Sequence, residues 1–216
     1  MNALREAQVD FPLGMYIPFL ASRELPRLDV GTQIHSLIVG YTATQTAQYG
    51  HVFLTDAEKS AMFGHDIAKA NGQFRTLAVS SHVFSDNEKL IMDGHAQAGY
   101  DYWLAHSLDP QAALLVLWHH TPYADLCTIK NPPSEEFLFK LGLLRSADVF
   151  DAMVDVTRTH RVPLREEEAL EGLHHLTGTE IHPEAVDLFV SQKPRWENGI
   201  RHELDRLRRN LMNQQS

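Results

Sequence analysis

Helix-forming patterns dominate the distribution of apolar and polar positions along this chain, whereas strand-like alternation is weak. Thr55 with Glu58 and Ser85 with Glu88 have the capping-box spacing, in which a hydroxyl and a carboxylate satisfy unpaired amides at the start of a helix. The pattern predicts an all-α fold, with helices over residues 31–49, 55–70, 87–106, 110–120, 134–159, 165–177, 183–191 and 195–212.

Prolines mark further helix starts and the edge of the expected bundle. In Asp109-Pro110, His182-Pro183 and Lys193-Pro194, a proline can occupy the first helical position, where its missing amide hydrogen costs nothing. Residues 1–28 contain three more prolines and no clean period. We therefore expect them to form an extended or partly helical arm that packs on a single helical domain spanning 29–216.

Composition and charge narrow the class of protein. At 216 residues with 44% hydrophobic and 22% charged residues, the chain is expected to fold around one sizeable core. A net charge of −9 argues against nucleic-acid binding. The longest apolar run, residues 112–118, is too short to cross a bilayer, and the single cysteine Cys127 excludes an internal disulfide. These features predict a cytoplasmic protein with neither a membrane nor a nucleic-acid partner.

Histidines and aspartates recur at wide spacing in stretches that are expected to be helical, as in bundles that hold a two-metal site in the core. Most histidines on helices are structural, which is our interpretation of His51, His82, His106, His174, His175 and His202. The joint pattern of the others points to a metal-dependent phosphohydrolase. The candidate metal ligands are His35, His65, Asp66, His95, His119, His120 and Asp148.

His65 and Asp66 are adjacent, and neighbouring positions of a helix diverge by about 100°, so the pair can contact two metal ions from one turn. The two oxygens of Asp66 would then bridge the ions. Lys69 follows Asp66 by three residues. Its ammonium can either reach a phosphate that lies on the metals or pair with the Asp66 carboxylate.

The ordered motifs resemble those of HD-domain phosphohydrolases, and most of all the HD-GYP branch, which degrades the bacterial second messenger cyclic di-GMP. The resemblance extends from about residue 29 to residue 190. It is carried by His35-Ser36-x-x-Val39, His65-Asp66-Ile67-x-Lys69, Met92-x-Gly94-His95, His119-His120, Ala147-Asp148-Val149-Phe150-Asp151-Ala152 and Arg158-Thr159-His160-Arg161.

This resemblance implies that the candidates above are the ligands of two divalent metal ions, with His35 as a seventh ligand and Asp66 as the bridge. The mixed nitrogen and oxygen donors suit Fe or Mn best, while Mg or Ni remain possible. The catalytic residues would be Asp66 and Lys69, and the nucleophile a metal-activated hydroxide. Lys69, Arg158 and Arg161 would bind substrate, although the two arginines could equally be a solvated helix end. Asp151 is a candidate hydrogen-bond acceptor for a ligand imidazole.

The chain also departs from the family pattern. The Gly-Tyr-Pro tripeptide is absent from residues 121–133, where the family carries it beside the metals, and Gly31 stands where some members have a glutamate for a third metal. Three functions therefore stay open: a cyclic di-GMP phosphodiesterase, an HD phosphohydrolase of another nucleotide or small phosphoester, and a catalytically weak module that docks a protein partner through 121–133. The segments 71–84 and 121–133 are expected to be loops that shape the pocket.

Overall fold

The computed structural model describes residues 18–80, 82–155 and 162–197, and these residues fold into a helical bundle. Within them no β-strand forms, apart from the isolated bridge between Thr177 and Ile181. The all-α prediction is confirmed. The helices are α1 (Phe19–Glu24), α2 (Val30–Tyr49), α3 (Asp56–Phe63), α4 (Gly72–Ala78), α5 (Asp86–Asp93), α6 (His95–Ala105), α7 (Pro110–Trp118), α8 (Tyr123–Thr128), α9 (Glu135–Val154), α10 (Glu166–His175) and α11 (Pro183–Trp196), with 3-10 turns at Leu25–Arg27 and Ile67–Ala70.

The two longest helices, α2 and α9, pack against each other at the centre, and α11 packs against both. Helix α3 lies on α2 at Gly40, where an added Cβ would come within 2.7 Å of the Phe63 Cα. The bundle therefore needs a glycine at this crossing. Ala21, Leu25 and Leu28 are buried in the same core, so residues 18–28 pack on the bundle as partly helical chain. Residues 1–17 lie outside the described part, and the predicted domain limits stay a prediction.

The capped helix starts are where the sequence predicts them. Thr55 with Glu58 and Ser85 with Glu88 form complete capping boxes at α3 and α5. The Asp109 carboxylate accepts hydrogen bonds from two amides of α7. These starts are predictable because each cap is a local interaction within one turn.

Two predicted helices are interrupted at glycines. The helix expected over 55–70 ends at Phe63, and His65 and Asp66 lie in a turn before the 3-10 segment, so they are not neighbours on a regular helix. The indole of Trp103 explains this break: its Nε1 donates to the Gly64 carbonyl, and a Cβ at Gly64 would collide with the ring. The helix expected over 87–106 is likewise split into α5 and α6 at Gly94.

Other boundaries also differ from the prediction. The segments 71–84 and 121–133 contain the short helices α4 and α8. The predicted break before Pro194 is wrong, because α11 continues through it to Trp196, whose buried indole packs on Phe150 and Phe189. Residues 198–212 lie outside the described residues. None of the described helices is both long and apolar enough to cross a membrane.

Candidate metal centre

The candidate ligands come from five separate parts of the chain and meet at one end of the central helix pair. His35 lies on α2 and Asp148 on α9, while His95 is the first residue of α6. The others sit in turns that follow a helix: His65 and Asp66 after α3, and His119 and His120 after α7. The fold thus gathers all the ligand candidates. All are buried except His120.

The ligand atoms form two groups, each of which could hold a metal ion. One group consists of His95, His119 and His120, and the other of His35, His65 and Asp148; within each group the ligand atoms lie within 4.8 Å of one another. We call them the all-histidine group and the mixed group. Donor sets of imidazole and carboxylate suit divalent transition metals.

Asp66 belongs to neither group but lies between them. Its Oδ1 is 3.1 Å from His95 Nε2 and 3.9 Å from His119 Nε2, on the side of the all-histidine group. Its Oδ2 is 3.8 Å from His35 Nε2 and 3.7 Å from His65 Nε2, on the side of the mixed group. Each oxygen of this carboxylate therefore faces a different group.

Hydrogen bonds determine which nitrogen of each imidazole faces inward. The Nδ1 atoms of His65, His95 and His119 contact the backbone carbonyl three residues earlier, at 3.0 Å for His65 and 2.6 Å for His119. A carbonyl oxygen only accepts, so each Nδ1 carries the hydrogen. In the neutral ring, Nε2 then presents its lone pair, the form in which histidine binds metal.

Asp151 plays the corresponding part for His35. Its Oδ2 lies 2.7 Å from His35 Nδ1, which is the contact suggested for Asp151 by the sequence. The opposite nitrogen, Nε2, lies 3.1 Å from Asp148 Oδ1 in the mixed group. Burial lowers the pKa of His35, but the hydrogen bonds to Asp148 and Asp151 outweigh burial and raise it to about 9. Carboxylates on both sides hold this ring in one orientation.

Acceptors that face one another indicate that the site is built for a cation. His95 Nε2 and His119 Nε2 are 3.2 Å apart although both rings donate through Nδ1. Among the described residues, the buried His65 Nε2 and Asp66 Oδ1 have no hydrogen-bond partner. Converging lone pairs without donors are unfavourable in a protein interior unless a positive charge lies among them. The residues present therefore fit a metal ion.

The protonation states agree with this interpretation. Burial lowers the pKa of His65 and holds that of His119 well below its usual value. Desolvation of the imidazole lowers the pKa of His120 to about 4, although part of this residue is exposed. Burial raises the pKa of Asp66, but Lys69 and the neighbouring histidines His65 and His95 together outweigh burial and hold this pKa well below its ordinary value. Burial also raises the pKa of Asp148, but the hydrogen bond from His35 and the interactions with the neighbouring histidines together outweigh it and hold this pKa well below its ordinary value. At these residues neutral imidazoles lie beside ionised carboxylates, as metal coordination requires, whereas His35, with its raised pKa, has to release a proton to bind a metal ion.

An open cleft of about 580 Å³ leads to both groups. Lys69 lines it, and its Nζ is 2.6 Å from Asp66 Oδ2, so of the two expected contacts the structure has the pairing with the carboxylate. The segment 71–84 forms part of the wall, as expected, but no residue of 121–133 lines this cleft. That segment is held elsewhere, because the amides of Tyr123 and Ala124 donate to the carbonyls of Glu180 and Thr179.

Two of the candidates for substrate binding lie outside the described residues. Arg158 and Arg161 fall in the undescribed range 156–161.

The sequence pattern does not point to Trp103 or Arg145, yet their side chains donate hydrogen bonds to the carbonyls of Gly64 and His119. These carbonyls lie in the two turns that carry the paired candidate ligands. The sequence contains one sign that Arg145 is buried: it is a charged residue within the mostly apolar stretch 141–147.

Comparison with known proteins gives a distant relative. No family model matches the chain. The chain is 27% identical over 183 residues to a Thermotoga maritima protein named cyclic di-GMP phosphodiesterase. The alignment covers 82% of this chain and 49% of that protein, so the chain spans about half the length of this relative. Together with the buried ligand groups, the similarity supports an HD-type phosphohydrolase at the level of class.

Proposed function

We propose that this protein is a metal-dependent phosphodiesterase that binds two divalent cations, Fe or Mn by preference, and hydrolyses cyclic di-GMP. The observation that carries the proposal is the position of Asp66, with one oxygen toward each of two histidine-containing groups. A carboxylate with one oxygen toward each group is able to bind two ions at the same time. The distant relative's name supports the choice of substrate.

The metal ions would be held by the all-histidine and mixed groups, with Asp66 shared. Bound there, divalent cations supply a water of lowered pKa and neutralise charge on the phosphoryl oxygens. Lys69 would donate to a non-bridging phosphate oxygen, because its Nζ already lies beside Asp66 at the cleft wall. Asp151 keeps His35 oriented. Arg158 and Arg161 remain candidates for contacts to a second phosphate.

Another phosphoester is the second candidate substrate, and the position of residues 121–133 favours it. This segment lacks the Gly-Tyr-Pro tripeptide and lies away from the cleft, bound to residues 179 and 180. Without that loop the cleft has a different wall, formed in part by Leu77, Ala78 and Phe84. A change of wall is expected to slow turnover of cyclic di-GMP and to relax the choice of substrate. A binding module that uses 121–133 as its docking surface is the non-enzymatic alternative.

The deciding experiment compares two substrates on Mn- or Fe-loaded protein under reducing conditions. Cyclic di-GMP products are separated by chromatography, and bis-(p-nitrophenyl) phosphate serves as the simple phosphodiester. We expect slow hydrolysis of cyclic di-GMP and a comparable kcat/KM for the simple ester. Efficient and strongly preferential turnover of cyclic di-GMP would contradict relaxed specificity. Binding of cyclic di-GMP with no hydrolysis of either compound would favour the non-enzymatic module.

A further inference from the structure

Arg145 is a buried cation that the proposed chemistry does not use. It lies on α9, three residues before Asp148, and its side chain is 8% exposed. Its Nη1 donates to the His119 carbonyl at 2.7 Å, and its Nη2 donates to Glu180 Oε2 at 3.1 Å. Burial lowers the pKa of this guanidinium, while the charges of Glu180 and Asp148 raise it. Removing one partner of a buried charged pair leaves the other uncompensated, so these contacts restrict where the Arg145 side chain can lie.

The His119–His120 turn needs an external contact because α7 ends at Trp118. The last carbonyls of a helix have no amide partner within the helix. Here Val116 O accepts from His119 Nδ1, and Trp118 O accepts from the Thr121 amide at 2.9 Å. Both contacts are local to the turn. The hydrogen bond from Arg145 to His119 O comes from another helix, so it fixes the turn relative to α9.

Helix α9 also carries Asp148, a member of the mixed group. The hydrogen bond from Arg145 to His119 O therefore joins the turn that carries His119 and His120 to the helix that carries Asp148. We infer that Arg145 is a positioning residue: it sets the place of the all-histidine group relative to the mixed group, and Glu180 orients its guanidinium. This inference rests on the proposed metal site. Loss of the link is expected to displace His119 and His120 while leaving His35, His65 and Asp148 in place. Changes that loosen the support of metal ligands typically weaken metal binding about 10- to 100-fold.

Metal titration of variants tests this role without relying on activity. In Arg145→Met, occupancy of one ion is expected to weaken at least about tenfold while the other is retained. Arg145→Lys should lie between Arg145→Met and the unaltered protein, because ammonium replaces the charge without the planar fork that contacts two acceptors. Glu180→Gln changes a half-exposed partner and should give a smaller loss in the same direction.

The visible spectrum of Co²⁺-loaded protein identifies which ion is lost. The spectrum of Arg145→Met should match that of His120→Ala, which removes a ligand from the all-histidine group, and not that of His35→Ala. Lys140→Met is the matched control, because Lys140 is a similarly buried cation of α9 that pairs with Glu58 at 2.8 Å. It is expected to lower the thermal midpoint but to keep the Co²⁺ spectrum.

Three outcomes contradict the inference. If Arg145→Met and Glu180→Gln bind both ions with unaltered affinity, Arg145 does not position the group. If Arg145→Met loses both ions in parallel with its folded fraction, as measured by circular dichroism, its role is only structural. If the unaltered protein takes up no metal, the proposed metal centre is wrong, and the positioning role is wrong as well. This outcome differs from the first two because it is seen in the unaltered protein.

Discussion

At the scale of single residues, Asp66 is the side chain that lies between the two ligand groups. Its two oxygens face different groups, so Asp66→Ala should remove a ligand from both ions at once. We expect metal content to fall from about two equivalents to well below one, a larger loss than in His120→Ala. Elemental analysis after Mn loading measures this. Asp187→Ala, at an exposed aspartate on α11, is the control and should keep full content.

Lys69 differs from Asp66 because an ammonium has no lone pair, so this side chain lies beside the candidate site without being able to bind a metal ion. Lys69→Ala should lower kcat by about 10²- to 10³-fold, the size of effect seen when a group that stabilises transition-state charge is removed. Metal content should not change. The measurement pairs steady-state kinetics with elemental analysis of the same preparation. An equal loss of metal and activity would mean that the Lys69–Asp66 ion pair supports the site structurally.

At the scale of elements, helix starts are predictable from this sequence and helix ends near the site are not. Thr55 caps α3 through atoms within four residues, so the sequence contains the whole interaction. The end of α3 depends on Trp103, a distant residue whose indole occupies the space beside Gly64. The ligand types could therefore be selected from the sequence, but not the turn that presents His65 and Asp66.

The contact between α6 and this turn gives a prediction for stability. Gly64→Ala places a Cβ against the Trp103 ring, and overpacking of a filled core costs about 1–3 kcal/mol. We expect the free energy of unfolding to fall by that amount, measured by urea denaturation. Gly31→Ala is the control, since its Cβ meets only the end of the Asp29 side chain at 3.3 Å. In the first turn of α2 it should be neutral or stabilising by up to about 1 kcal/mol.

At the scale of the whole molecule, the general arrangement was predictable and the shape of the cleft was not. The all-α bundle follows from helix patterning, and the candidate ligands could be listed from the order of the histidine and aspartate motifs. The wall of the cleft depends on which connecting segments pack beside the ligands. Residues 121–133 bind the turn at Thr179 and Glu180 through backbone hydrogen bonds, and such pairing leaves no pattern in side-chain types.

Removal of metal should lower the stability of the whole bundle, because the site joins α2, α6 and α9 with the turns after α3 and α7. A ligand at 100 times its Kd stabilises the folded state by about 2.7 kcal/mol. For a protein of this size, each kcal/mol shifts the thermal midpoint by about 2–4 °C. We therefore expect chelation to lower the midpoint by about 5–10 °C per ion, and Mn²⁺ to restore it. Differential scanning calorimetry on chelated and reloaded protein measures the shift, with Asp66→Ala as the control that should no longer respond to Mn²⁺. An unchanged midpoint in the unaltered protein would show that these buried groups do not bind metal tightly enough to hold the helices together.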